Sequence, residues 1–305
     1  MIPKVAHRSE GWERALIPFP RARDAFRAVL DRICAPARRV VLLPAYVGWS
    51  PREGSGIFDP VRELDLPHAF YAVTAELRID EAHLLAQLDA HPPGLLLLVH
   101  YFGYVDPAYE RVVAQARARG YVVVEDEAHA LFTDVIAGRC GRLGEACLIS
   151  QHKLLPVGTG GGLIVNPHGA AALAGLVGSD DGAPWRFDLA ELASRRRSHA
   201  RLLAELITPL AGRVDPLWSL PPDVVPQTFP VRIRTVSRDR LYEQLNGEGF
   251  GVVSLYHTMV EAITPAAFPH SHQLAREVLN LPVHQEADEP GLRALVDALD
   301  RYTRG

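Results

Sequence analysis

Between Arg38 and Val165, short apolar runs rich in leucine and β-branched residues recur, separated by stretches with the composition of helices. The runs are Val40 to Leu43, Leu95 to Val99, Val122 to Glu125, Ala146 to Ile149 and Leu163 to Val165. This alternation is what parallel strands joined by crossover helices produce, because a tight turn cannot return the chain to a parallel partner. Leu95-Leu-Leu-Leu-Val99 and Tyr121-Val-Val-Val124 do not alternate with polar residues. Those strands are therefore expected to be covered on both faces, as in a doubly wound sheet. Open sheets of that class bind ligands beyond the carboxyl ends of their strands, so the residues just after the runs are where chemistry is to be sought.

Between the strands, the clearest helix is expected over Pro107 to Arg119, with Asp106 as N-cap, Pro107 in the first turn and Gly120 closing it. From Gly178 to Pro184 the sequence turns small, acidic and glycine-containing, and the arginine-rich helical stretch Glu191 to Leu206 follows. A domain boundary is placed there, giving a large α/β domain over 1–180 and a helical connection with a small α+β domain over 181–305. In the second unit a strand is expected at Phe229 to Ile233, a helix at Arg238 to Asn246, a strand near Val252 to Leu255, and helices around Leu274 and Leu292.

Composition limits the partners. With 32 basic and 36 acidic residues the net charge is −4, which gives no cationic field for nucleic acid. No apolar run approaches the roughly 20 residues needed to span a bilayer. The segment Met1 to Pro20 mixes charges and prolines with its apolar residues, unlike a signal peptide. Cys34, Cys140 and Cys147 form no CxxC pair, which fits a reducing compartment. The reading is a cytoplasmic protein that handles a small molecule.

Two residues stand out as carriers of chemistry. Asp126 ends the buried run Val122-Val-Val-Glu-Asp-Glu-Ala-His129, at the ligand-binding edge of the expected sheet. A strand-end acid equally suits a helix cap, a metal ligand or a ribose contact. Lys153 follows the strand-like Ala146-Cys-Leu-Ile-Ser-Gln-His, and Leu154-Leu-Pro-Val157 comes after it. A lysine is ordinarily a solvated surface residue. In an apolar neighbourhood, though, its pKa falls, and the neutral amine becomes able to form an imine with an aldehyde. Ser150 offers a hydroxyl to a phosphate, and Gly158-Thr-Gly-Gly-Gly162 lets the backbone pass close to a ligand. The glycine run matches neither the P-loop nor the dinucleotide fingerprint, and the SxxK spacing lacks the partner motifs of serine β-lactamases. His257, His270, His272 and His284 show no zinc spacing, so no metal is expected. Arg195-Arg-Arg197 suits an anion or a solvated helix face.

In this order the motifs resemble the DegT/DnrJ/EryC1/StrS sugar aminotransferases, a branch of the fold-type I enzymes that use pyridoxal phosphate (PLP). Pro20-Arg-Ala-Arg-Asp-Ala-Phe26 is similar to the family's opening helix, Leu43-Pro-Ala-Tyr-Val47 to its next strand and turn, and His100-Tyr-Phe-Gly103 to its H-x-x-G element. Glu125-Asp-Glu-Ala-His129, the segment Gly144 to Gly162, and Leu281-Pro-Val-His-Gln285 match its later landmarks, so the likeness spans about residues 20 to 300. The resemblance implies a fold-type I architecture and a homodimer. It further implies a Schiff base on Lys153, Asp126 at the pyridine nitrogen, and His129 against the ring or its 3-oxygen. Ser150 and the amides near Ala22 and Arg23 would hold the phosphate, and Trp49 or Tyr46 would stack on the ring. The implied reaction moves an amino group from an amino acid, such as glutamate, to a ketone on a sugar or related molecule. Elimination, decarboxylation, aldol cleavage or a silent ligand-binding role remain open beside it, since one electron sink serves many reactions.

The sequence departs from the family pattern in three places. The stretch from Val165 to Pro226 is shortened, so substrate specificity does not transfer. Lys153 has a tighter S-x-x-K spacing. Glu127 replaces a small residue, and is expected either to couple to Asp126 or to point away from it.

Overall fold

The computed structural model describes residues 14–52, 54–178 and 187–304. Its first unit runs β1 (Leu16–Phe19), α1 (Ala22–Ile33), β2 (Val41–Pro44), α2 (Phe58–Glu63), β3 (His68–Tyr71), α3 (Glu81–Ala90), β4 (Leu95–Val99), α4 (Tyr109–Ala118), β5 (Val122–Asp126), α5 (Leu131–Val135), β6 (Ala146–Ser150) and β7 (Gly161–Val165). The chain continues through α6 (Leu189–Leu206), β8 (Val214–Pro216), β9 (Thr228–Ile233), α7 (Arg238–Gly247), α8 (Pro269–Glu277), β10 (Val278–Pro282) and α9 (Glu289–Thr303).

Seven strands form one sheet in the order β1-β7-β6-β5-β4-β2-β3. The five from β3 to β6 are mutually parallel, β7 lies antiparallel to β6, and β1 antiparallel to β7. Both faces are covered, as the unbroken apolar runs require. Side chains alternate strictly along each strand. Val41, Leu43, Leu95, Leu97, Val124, Leu148 and Leu163 meet Phe26, Val29 and Leu30 of α1 on one face. On the other, Leu42, Leu96, Leu98 and Val123 pack against Leu84 and Leu88 of α3 and Val112 and Val113 of α4. The second unit holds an antiparallel sheet, β10-β9-β8, whose Phe229, Val231, Leu279 and Leu281 share a core with α6, α7 and α9.

The architecture is thus the expected one, with local corrections. No strand forms at Val252 to Leu255; a single bridge from Val253 to Asn280 is made, and the chain then leaves to wall a cavity. β9 pairs instead with β10, part of which the sequence reading took only for an L-P-x-H landmark. Strands β1, β3 and β8 were also missed: two are four residues long and one three, too short for a periodic pattern. Helix α4 starts at Tyr109, because Asp106 caps the turn before it, accepting from Ala108 N–H at 2.7 Å while its other oxygen takes Ile79 N–H. The expected boundary at 180/181 lies outside the described residues.

Polar side chains cap α3, α6, α7 and α9: Asp80, Asp188, Ser237 and Asp288 each accept a first-turn amide. Helix α1 differs, since its N-cap is Arg21 and no side chain accepts there. The glycine run sits directly against that helix start. A Cβ on Gly161 would stand 2.1 Å from the Arg21 carbonyl carbon and 2.3 Å from Ala22 N, both backbone atoms. Gly161→Ala is therefore expected to destabilise the protein by about 1–3 kcal/mol or more. Gly158→Ala, with nothing within 4 Å, should leave the urea midpoint nearly unchanged. Equal midpoints for the two variants would show that no such close approach exists.

Candidate active site

The carboxyl ends of the parallel strands open into a cavity of about 560 Å³. Its floor includes Val99 of β4, Asp126 of β5 and Leu148 and Ser150 of β6. One wall is the start of α1, at Arg21 to Arg23; a second is formed by residues of 48–52 and 54–57 after β2. The third, Ser254 to Thr258, comes from the second unit of the chain. Asp59 shapes the middle wall by accepting from Trp49 Nε1 at 3.0 Å, Ser55 N–H at 2.8 Å and Arg23 at 3.3 Å.

Two acids end β5 and a third, Glu127, follows at once; alternation sends them to different places. Glu125 turns away from the cavity and accepts from His100 Nε2 (2.9 Å), Tyr109 Oη (2.7 Å) and the amides of Gly141 (2.7 Å), Leu143 (3.1 Å) and Gly144 (2.6 Å). Burial opposes its ionisation, yet His100, the Gly144 amide and Tyr109 outweigh it and hold the carboxyl at about 2. Glu127 is also buried away from the cavity, beside Asp134. Burial first, then the Asp134 and Glu125 charges, push its pKa well up. Of the two fates expected for Glu127, the structure realises pointing away. Asp126, between them, faces the cavity, with one oxygen fixed by Ala128 N–H at 2.8 Å. Burial raises its pKa, opposed by Lys153, the Ala128 amide and His100.

Lys153 and Asp126 line the same cavity. Lys153 opens to solvent through the cavity mouth, yet protein atoms crowd it. That crowding lowers its pKa; Asp126 opposes the effect and Arg23 adds to it. His129 reports on the same amine. Its ring is buried, lies parallel to Phe102 at 5.8 Å, and receives Phe102 N–H at Nδ1 (3.3 Å). Burial and Lys153 hold its pKa well below the usual value, so the ring is neutral. A neutral imidazole that accepts at Nδ1 carries its proton on Nε2. Nε2 lies 3.2 Å from Lys153 Nζ, and that N–H can donate only to a lone pair. The geometry therefore suits a neutral amine, which is the nucleophilic form.

The remaining expected residues also gather here. Ser150, Ala22, Arg23 and Trp49 all line the cavity, and Ser150 Oγ lies 3.5 Å from His152 Nδ1. Tyr46 does not line it: the residue is fully buried beneath, with its hydroxyl on the Leu255 carbonyl. Of the two aromatics, only Trp49 lines the cavity. Arg195 to Arg197 form neither a solvated face throughout nor an anion site in the cavity. Arg196 is buried and donates to the carbonyls of Gln227 (2.9 Å) and Leu154 (3.0 Å) and to Gln285 Oε1 (3.0 Å), tying the loop of Lys153 to the second unit. Among the described residues no cluster of three or more histidines, cysteines or acids is arranged to hold a metal.

Sequence reasoning missed the third wall. The sequence reading gives His257 no role beyond lacking zinc spacing and places Ser254 and Leu255 in a strand, but Ser254 to His257 all line the cavity. The signal was present in Gly48. A Cβ there would meet the Tyr256 ring at 2.1 Å, so the glycine admits an aromatic side chain from 208 residues further along.

The same fold recurs in known proteins. No family model matches the sequence. A dTDP-3-amino-3,4,6-trideoxy-α-D-glucose transaminase of Streptomyces venezuelae is 30% identical over 131 residues, which are 39% of this chain and 34% of that enzyme. The matched segment thus spans about a third of the relative. A DegT DnrJ EryC1 StrS aminotransferase from Brucella abortus superposes with a TM-score of 0.76 at 20% identity, covering 95% of this chain and 86% of the other. The chain has the DegT/DnrJ/EryC1/StrS aminotransferase fold. Spr1654 of Streptococcus pneumoniae in its PLP form shares that aminotransferase fold, with a TM-score of 0.75, 14% identity, and coverage of 99% and 92%.

Within this aminotransferase fold the environment of Lys153 is directly measurable. In the cofactor-free protein, the pH dependence of its labelling by trinitrobenzene sulfonate is expected to give a midpoint below 10.5, the ordinary lysine value. Asp126→Asn removes the charge that favours the ammonium and should move the midpoint lower still. An upward move on that substitution would show that the two groups do not interact.

Proposed function

We propose that this chain is a PLP-dependent aminotransferase of the DegT/DnrJ/EryC1/StrS family, acting on a keto-sugar or related small ketone with an amino acid such as glutamate as donor. The observation that carries this reading is the convergence of Lys153 and Asp126 on one cavity beside an uncapped helix start. The residues fit the cofactor. A crowded amine suits attachment to an aldehyde, a buried acid suits a pyridinium, and a helix N-terminus with a nearby hydroxyl suits a phosphate. Lys153 would hold PLP covalently, Asp126 its ring nitrogen, Ser150 and the Ala22 and Arg23 amides its phosphate. His129 and Trp49 would flank the ring.

When bound, PLP supplies an electron sink for charge developing at the substrate carbon. The protein supplies the rest. Asp126, anchored through Ala128, keeps a proton on the ring nitrogen. Lys153, as a neutral amine, would serve as the base that moves a proton at the substrate carbon, with His129 Nε2–H positioned to orient its lone pair. The middle and third walls narrow access of water from the cavity mouth.

The sugar acceptor is supported by the Streptomyces relative, whose name specifies a dTDP-amino sugar. A homodimer, a cytoplasmic location and a division near 180/181 into cofactor-binding and small units belong to the same proposal. Three buried free cysteines agree with a reducing compartment. Among the described residues no helix is long and apolar enough to cross a membrane.

Reconstitution with PLP, borohydride reduction and peptide mapping should place the adduct on Lys153, and Lys153→Ala should carry none. Addition of L-glutamate should convert the absorbance to the pyridoxamine form, and Asp126→Asn should slow that conversion by about 10²- to 10³-fold. An adduct on another lysine would overturn the site, and PLP binding without conversion by any amino acid would favour a different PLP reaction.

A further inference from the structure

The third wall of the cavity contains a polar chain that the aminotransferase reading leaves unused. Ser254 Oγ is hydrogen-bonded to His257 Nε2, and His257 Nδ1 lies 3.3 Å from Asp239 Oδ1. The Asp239 carboxylate beside Nδ1 favours the tautomer with the imidazole proton there; Nε2 then accepts, and the serine hydroxyl donates to it. Both Ser254 and His257 line the cavity, leaving the serine oxygen able to receive a donor from a ligand. The wall is held firmly. Trp49 N–H donates to Thr258 O at 3.2 Å, Thr258 Oγ1 to Trp49 O at 2.7 Å, and Val260 N–H to Val47 O at 3.0 Å.

An amino acid arrives as an ammonium ion near neutral pH, and its nitrogen must lose a proton before it can displace Lys153. The other bases in the cavity have contacts or roles of their own, His152 Nδ1 lying 3.5 Å from the Ser150 hydroxyl assigned to the phosphate. Lys153 is attached to the cofactor in the proposed holoenzyme, Asp126 serves the ring nitrogen, and His129 accepts from Phe102 through Nδ1. We infer that Ser254, His257 and Asp239 form a relay that takes this proton from the incoming amino donor, an assignment that rests on the aminotransferase reading. The ammonium gives its proton to Ser254 Oγ as the serine proton passes to His257 Nε2. The products are a neutral amine and an imidazolium paired with Asp239.

The surroundings suit such a transfer. His257 also borders a neighbouring cavity of about 380 Å³, which offers the proton a route to solvent on the far side of the wall. From α7, Arg238 Nε holds the Asp239 carboxylate at 2.7 Å and the Tyr242 ring packs edge-on against the imidazole at 5.1 Å. Glu261 within the wall and His272 and Arg276 of α8 line that second cavity, while Arg52, His152, Lys153 and Arg23 face the first.

The test uses the PLP-reconstituted enzyme and follows the single-turnover conversion by L-glutamate from pH 6 to 10. His257→Gln, Asp239→Asn and Ser254→Ala are each expected to slow it by about 10- to 100-fold near neutrality. The loss should shrink as pH rises and the donor amine becomes neutral by itself; Ser254→Thr should restore the wild-type profile. In the cofactor-free protein, nitrogen-resolved NMR should show neutral His257 as the Nδ1–H tautomer. A loss that is equal at every pH, a profile moved by His152→Gln and not by His257→Gln, or an Nε2–H tautomer would each overturn the relay alone. A wild-type enzyme that binds PLP yet is not converted by glutamate would overturn the aminotransferase reading and the relay with it.

Discussion

The site depends on a carboxylate that takes no part in it. Glu125 is fully buried and ionised because five donors converge on its two oxygens: an imidazole, a phenol and three backbone amides. A buried charge is tolerated only when so fully satisfied. The arrangement clamps the end of β5 to the helix that precedes it, to the segment after β4 and to the turn before β6. Since neighbouring residues on a strand face opposite ways, clamping Glu125 behind the sheet presents Asp126 in front of it. The backbone of Asp126 is held as well, its carbonyl receiving His100 N–H at 3.1 Å. One histidine thus braces both members of the acid pair, through its ring and through its amide.

Much of this was legible in the chain. The runs at 95–99, 122–126 and 146–150 are long and apolar, and strands buried on both faces have few alternatives. Asp126 and Lys153 were legible because each closes such a run with a residue that does not belong in an apolar setting. Glu127 was ambiguous only until alternation was applied: with Asp126 in the cavity, its neighbour has to face the other way. Short edge strands such as β1 and β8 left no trace, since three or four residues cannot establish a period. Residues 252–255 read as a strand because Val252, Val253 and Leu255 carry the composition of one. What decides the course of this segment is pairing with residues 47–49, more than two hundred positions earlier, and local propensity holds no record of that. Arg196 illustrates the same limit: its neighbours Arg195 and Arg197 have the same side chain, but it alone of the three is buried.

The cavity also shows how two cores divide labour. Its floor and the start of α1 belong to the seven-stranded sheet, and its third wall belongs to the chain leaving β9 and α7. Arg196 joins them on one side, through Leu154 and Gln285, and the Trp49–Thr258 pairing joins them on the other. The two ties lie on separate elements, so the loop of Lys153 and the wall facing it are each referenced to the opposite unit.

The absence of a side chain at Gly48 reaches further than local packing. Because that position is empty, an aromatic ring from a distant part of the sequence rests against the backbone beside Trp49. The contour of the chamber is thus set jointly by a vacancy in one unit and a bulky group in the other. Exchanging Tyr256, on an irregular segment, would reshape the cavity while the strand that carries Asp126 and the loop that carries Lys153 stay untouched. Such modularity lets the shape of the chamber change without rebuilding the sheet beneath.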